Sequence, residues 1–431
     1  MMVRWGTVNT AYVTKIKIRN VRHLKETEIP LSENEMKHLI ITGKNGSGKT
    51  SLLEAMRLFL WFVTDEDTSD YLLLSKIENN GDPLKIQFDT KILGKSSPES
   101  SFQFALTDNN EILRRRDRFS GIDLEINGID LRKDKIKTEN FIFAYYPAER
   151  TYSVSSEKVD KVNIKNSYKL YEHPGKNFVK YLKELTSQEA LFRKAEQFER
   201  ADKIQEWLNN FTNILRRIFD NKNLSVNLDI EQMKFFIEEP GKNPFSFDEL
   251  ASGYAAILDI ITDLMMRMEN KRGSTYDVPG IVLIDEVDAH LHLSLQKNIL
   301  PTLTTLFKNI QFIVTTHSPF VLNSISNTVV YNLETKTLVN TPEGLSLLPY
   351  SGIVEGYFGV SELSKDLKEK FERYKELAKK NNFTDDDYNE LGDLESYLDE
   401  IPDFLALDIM SAYRQIKLEL EQREEAEVDN G

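Results

Sequence analysis

The chain contains no cysteine, so disulfide staples and thiolate metal sites are excluded, a composition compatible with a reducing cytoplasm. It also lacks an apolar run long enough to span a bilayer. The opening residues, Met1-Met2-Val3-Arg4-Trp5-Gly6-Thr7, do not have the charged-then-apolar layout of a signal peptide, and no membrane partner is expected. Basic residues are in deficit. The 55 lysines and arginines against 69 aspartates and glutamates leave a net charge of −14, which argues against a surface that coats nucleic acid. A local basic groove stays open. The densest cluster, Arg114-Arg115-Arg116-Asp117-Arg118, lies between alternating runs at 102–106 and 122–126 and reads as a charged hairpin edge. Histidine is scarce as well. Of six, His38, His290, His292 and His317 fall in segments claimed by other motifs, which leaves no HNH-like arrangement for a nuclease.

What is present is one nucleotide site in three pieces. Gly43-Lys44-Asn45-Gly46-Ser47-Gly48-Lys49-Thr50 is a complete G-x-x-x-x-G-K-[ST] phosphate loop. A buried strand is predicted before it at 38–42 and a helix after it at 51–58. The glycines let successive backbone N–H groups curl around phosphate oxygens, and the helix N-terminus adds positive potential. Lys49 reaches the β- and γ-phosphates of ATP in this reading, and the Thr50 hydroxyl joins a Mg2+ ion. The apolar run 281–284 predicts a parallel strand that delivers Asp285 and Glu286 at its C-terminal end, the edge where ligands gather in open α/β sheets. Asp285 would hold Mg2+ through water, and Glu286 would orient or deprotonate the attacking water. A further apolar strand, 311–314, ends in Thr315-Thr316-His317-Ser318, which sets His317 to sense the γ-phosphate. His290 and His292 with Asp288 offer three donors, but spacing places no fourth ligand.

Leu250-Ala251-Ser252-Gly253-Tyr254 precedes an apolar helix over 255–266 and stands where ABC-type ATPases keep a Leu-Ser-Gly-Gly-Gln signature. Leu250 and the second glycine, Gly253, match, whereas Ala251 replaces the serine and leaves Ser252 to supply a hydroxyl. With Lys15-Ile16-Lys17-Ile18-Arg19-Asn20-Val21-Arg22 and Asp285-Glu286-Val287-Asp288-Ala289-His290-Leu291-His292, the chain resembles ABC-class ATPases of the SMC, RecF and OLD kind. Among stand-alone bacterial AAA ATPases it is similar to the PtuA-type ATPases of Septu anti-phage systems and their retron-associated relatives. The resemblance covers residues 12–325. It implies an α/β fold, an ABC-type P-loop head with a β-rich N-terminal lobe, and a homodimer or higher oligomer with ATP sandwiched between subunits. Ser252 and Gly253 would then meet the partner's nucleotide, with Asp288 to His292 as the crossing loop. Pro147-Ala148-Glu149-Arg150 stands at the Q-loop position without a glutamine, so Glu149 or Arg150 is the candidate contact to Mg2+ or phosphate there.

Two domains are expected. The first is an ATPase domain over 1–340, with strands at 12–19, 84–92, 141–146 and 328–333 and a helical insertion over about 165–222. The second is a helical, acidic region over 341–431, with helices at 363–379, 386–398 and 404–422 and a frayed tail from 421. A complete hydrolytic set without a nuclease module predicts an ATP-driven switch in nucleic-acid metabolism, in anti-phage defence, that controls an effector such as a nuclease in trans. Two alternatives stand beside it: a RecF-like DNA repair clamp that binds DNA directly, and an ATP-bound scaffold with little turnover.

Overall fold

The computed structural model describes residues 12–64, 85–86, 102–103, 122–126, 141–150, 162–170, 172–270, 276–340, 345–348, 350–354, 364–380, 382–401 and 407–429. The basic cluster 114–118, the N-terminal seven residues and most of the expected strand at 84–92 lie outside them. The chain divides into two compact units, Met1–Leu348 and Pro349–Gly431.

In the first unit the elements are β1 (Val13–Val21), β2 (Leu24–Pro30), β3 (His38–Thr42), α1 (Lys49–Thr64), β4 (Ile122–Ile126) and β5 (Ile142–Tyr146). Then come α2 (Phe178–Lys194), α3 (Phe198–Ile218), β6 (Ser225–Asp229), β7 (Lys234–Glu238), β8 (Phe245–Ser246) and α4 (Ser252–Met268). The unit closes with β9 (Gly280–Ile284), α5 (Leu293–Leu306), β10 (Ile310–Thr315), β11 (Thr328–Asn332) and β12 (Thr337–Val339).

The central sheet runs β12-β11-β3-β10-β9-β5, parallel throughout except for the antiparallel β12 at its edge. Every residue of β3, β9, β10 and β11 is buried. Runs of Ile, Val and Leu without alternation suit a parallel sheet covered on both faces. Because these strands point one way, the segments following β3, β5, β9 and β10 emerge at one edge of the sheet. Half-buried β1 pairs with β2 and β4 in a small antiparallel sheet. Gln311, fully buried in β10, fastens that sheet to the central one: its carboxamide donates to the carbonyls of Val13 (2.9 Å) and Lys37 (2.8 Å) and accepts from the Val13 N–H (2.7 Å).

Helices α2 and α3 form the inserted helical lobe, joined by aromatic contacts of Phe178 with Trp207 and Phe211. A three-stranded sheet, β8-β7-β6, follows. In the second unit, α6 (Lys365–Ala378), α7 (Asp385–Asp399) and α8 (Leu407–Asp429) share a core of Phe371, Tyr374, Leu377, Leu398 and Tyr413. Helix α8 continues through the segment expected to fray. Residues 418–429 are rich in Glu and Leu with no glycine or proline to stop a helix. No helix among the described residues is long and apolar enough to cross a membrane.

Candidate nucleotide site

The loop between β3 and α1 takes the conformation that its glycines permit. Gly43, Gly46 and Gly48 have φ of 139°, 81° and 99°, a region costly for residues with a Cβ. A Cβ on Gly43 would stand 2.8 Å from Ser47 Oγ, so the loop closes only without one. Lys49 is buried, and its Nζ donates to the carbonyls of Gly43 (2.8 Å) and Lys44 (3.0 Å), inside the curl of the loop. Burial lowers its pKa, opposed by the charges of Glu286, Asp285 and Asp288. Ser47 Oγ is buried with no protein partner, a hydroxyl left for a ligand oxygen. Thr50, at the start of α1, is exposed, as are Lys44, Asn45 and Gly46. The β1–β2 turn braces the loop from outside: His23 Nε2–H donates to the Ser47 carbonyl at 3.0 Å.

Opposite stands the end of β9. Asp285 is buried, its N–H donates to the Tyr146 carbonyl (2.8 Å), and its Oδ1 accepts the Thr315 hydroxyl. Thr315 Oγ1 in turn accepts the Glu286 N–H at 2.7 Å. Glu286 has a left-handed backbone, φ 45°. His317 is half-buried, its pKa lowered by burial and by the Lys49 ammonium against the pull of Asp288, Glu286 and Asp285. The charges of Asp285, Glu286 and Asp288 act on both Lys49 and His317, so the structure brings Lys49, Asp285, Glu286 and His317 together.

His317 is flanked by tethers. Thr316 donates its hydroxyl to Asp288, and Ser318 donates to Gln296 Oε1 (2.6 Å), whose Nε2 donates to the Leu291 carbonyl (2.8 Å). The loop 288–292 is thus bonded on both sides of the histidine.

Ser252 and Gly253 open α4, Ser252 exposed and Gly253 buried. A Cβ on Gly253 would lie 3.0 Å from the His290 carbonyl oxygen, so this glycine packs against the 288–292 loop of its own chain. Tyr254 stacks on Phe219 at 4.1 Å and 4°, which fixes the start of α4 on the helical lobe. None of the hydrogen bonds among the described residues joins Ser252 or Gly253 to the phosphate loop. Of the two sequence candidates for a phosphate or metal contact beside β5, Glu149 is exposed, and Arg150 donates its guanidinium to the carbonyls of Pro147 (3.1 Å), Asp285 (2.7 Å) and Glu286 (2.9 Å).

Two groups escaped the sequence reading. Thr315 stands inside the Thr315-Thr316-His317 motif without a role of its own there, and nothing local marks a hydroxyl that joins two neighbouring acids. Behind the sheet, Asp263 and Arg267 pair at 2.7 Å, both buried, with the Tyr146 hydroxyl donating to Asp263 (2.8 Å) and the Gly175 N–H to its other oxygen (3.0 Å). The signal for that pair was legible: an acid and a base four apart within an otherwise apolar helix.

A phosphate loop, an acid pair ending the β9 strand and a histidine after the adjacent strand define an ABC-like P-loop ATPase. Residues 39–323, more than half of the chain, match the family described as "AAA domain, putative AbiEii toxin, Type IV TA system", and the chain belongs to it. It is 27% identical to "Retron Ec83 probable ATPase" of Escherichia coli, over 82% of this chain and 78% of that protein. It is 26% identical to "Septu protein PtuA" of Bacillus mycoides, over 84% of this chain and 47% of that protein, and so spans about half the length of that relative. "Retron Vc95 probable ATPase" of Vibrio cholerae is 24% identical, over 85% of this chain and 84% of that protein. Among solved structures, the SMC head domain from Thermotoga maritima aligns with 74% of this chain and 94% of its own, at 15% identity and a TM-score of 0.35.

Proposed function

We propose that this ATPase is a nucleotide-driven switch of anti-phage defence that controls a separate effector, a nuclease or another toxic protein. The observation that carries the reading is the convergence of Lys49, Asp285, Glu286 and His317 on one sheet edge, in a chain whose relatives are named for Septu and retron systems. In this reading the Lys49 ammonium leaves the carbonyls of Gly43 and Lys44 for the β- and γ-phosphates, and Ser47 Oγ gains its missing partner. The donor set fits Mg2+ that arrives with the triphosphate: Thr50 and Asp285 supply oxygens, and no group of three acidic or histidine residues among the described ones holds a metal unaided. The ion would neutralise charge on the transferred phosphoryl group. Glu286 orients the water and takes its proton. His317 donates an N–H to the γ-phosphate.

The active form is a dimer with ATP between subunits. Exposed Ser252 meets the partner's γ-phosphate, and Gly253 lets the α4 terminus sit close on the 288–292 loop.

The test pairs Glu286→Gln with the wild type. The variant should bind ATP at wild-type affinity and release phosphate at least about a hundredfold more slowly. It should also dimerise on ATP by size-exclusion chromatography. The tagged wild-type chain, co-expressed with its genomic neighbours, should retain a stoichiometric effector by mass spectrometry. Equal turnover in both proteins rejects the catalytic assignment. Purification without a partner, together with salt-sensitive DNA binding by the ATP-bound form, favours a self-contained clamp.

A further inference from the structure

The Glu286 backbone has a left-handed φ of 45°, a conformation that a residue with a long side chain keeps only where its surroundings hold it. Both of its peptide groups are held. The N–H donates to Thr315 Oγ1 at 2.7 Å, and the carbonyl accepts Arg150 Nη2 at 2.9 Å. The preceding carbonyl, that of Asp285, accepts Arg150 Nη1 at 2.7 Å, and the same nitrogen reaches the Pro147 carbonyl at 3.1 Å. One guanidinium thus bridges the end of β5 and two successive carbonyls after β9, across a separation of 135 residues to Asp285. Arg150 is only 9% exposed, and its Nε is buried with no partner. Its terminal nitrogens face peptide oxygens, and the acids Asp259, Asp285, Asp288 and Glu286 supply the counter-charge.

We propose that Arg150 is a positioning residue for hydrolysis. With Thr315 it clamps Glu286 in the left-handed turn that aims its carboxylate at the attacking water. Arg150 touches neither nucleotide nor water and acts through Glu286 alone. The planar fork of arginine is what the task requires, because two carbonyls one residue apart accept from two nitrogens of one rigid group. Lysine offers a single nitrogen and can satisfy the same pair only by giving up geometry. The inference rests on the reading of Glu286 as the residue that engages the water.

The experiment compares steady-state phosphate release and direct ATP affinity for Arg150→Lys and Arg150→Ala, each alone and in the Glu286→Gln background. Turnover should fall about a hundredfold with KM and ATP affinity nearly unchanged, the loss typical of a catalytic group displaced by an ångström. In the Glu286→Gln background the arginine substitutions should remove nothing further. Thr315 gives an independent arm: Thr315→Val should lose turnover, and Thr315→Ser, which keeps the hydroxyl, should recover most of it. Because the Thr315 hydroxyl also bonds Asp285, Arg150→Lys, which keeps the charge, decides the matter if Arg150→Ala fails to fold.

Weakened ATP binding in Arg150→Lys, or a further loss in the double variant, would mean direct contact with nucleotide and overturn the proposal. Wild-type turnover in Arg150→Lys and Arg150→Ala, with Glu286→Gln inactive, would sink this proposal alone. Full activity of Glu286→Gln would sink the reading beneath it.

Discussion

At the scale of single residues, burial sets what ionises. His38 opens β3 with 6% of its surface exposed, its ring against Phe312 and its Nδ1 accepting the Phe312 N–H at 3.1 Å. Burial pushes its pKa down from 6.5 to about 4. The neutral ring is therefore the form that the fold accepts. Its contribution to stability is complete above pH 6.5 and is lost as pH falls from 6.5 towards 4, because the unfolded chain takes up the proton first. A gap of this size is worth up to about 3 kcal/mol. Thermal melts should show the wild type losing stability across that window. His38→Gln, which keeps an acceptor and cannot charge, should show a flatter profile, and parallel profiles would refute the assignment. The contrast with the phosphate loop explains what the sequence made legible here. Gly43 to Thr50 act through their own backbone and immediate neighbours, so eight consecutive residues carry the message. Arg150 and Thr315 act through partners distant in the chain, and no local pattern announces them.

At the scale of elements, close approach decides. The β5 and β9 strands lie so near at Gly280 that a Cβ there would stand 2.6 Å from the Ile142 carbonyl oxygen, a backbone atom with little room to give. Gly280→Ala should cost about 2–3 kcal/mol, as overpacked interiors do. A urea titration should show the midpoint fall with the slope unchanged, and a midpoint equal to the wild type's would refute the argument. The parallel strands were readable because four or five apolar residues in a row admit few other fates when they precede a phosphate loop or an acid pair. The β6-β7-β8 sheet was not readable. β6 is intermediate or exposed at every position, so burial imposes no alternation on it, and although β7 alternates in burial, its apolar residues Phe235, Phe236 and Ile237 run consecutively and hide the period.

At the scale of the whole molecule, each of the two units has its own core. The candidate nucleotide residues all belong to the first, so a chain ending at Leu348 should keep its ATP affinity and melt cooperatively. If the helices of the second unit carry the effector, that truncated chain should no longer retain it in co-purification; retention would move the interface elsewhere.

His317 stands between Thr316 and Ser318, and both of these neighbours are hydrogen-bonded into the stretch 288–296. Were the imidazole to turn on the arrival or loss of a phosphate, these bonds would carry the turn into that stretch, and through His290 to the start of α4. The age of the bound nucleotide would then be written in the posture of one surface loop, open to any protein that can feel the loop without touching the nucleotide.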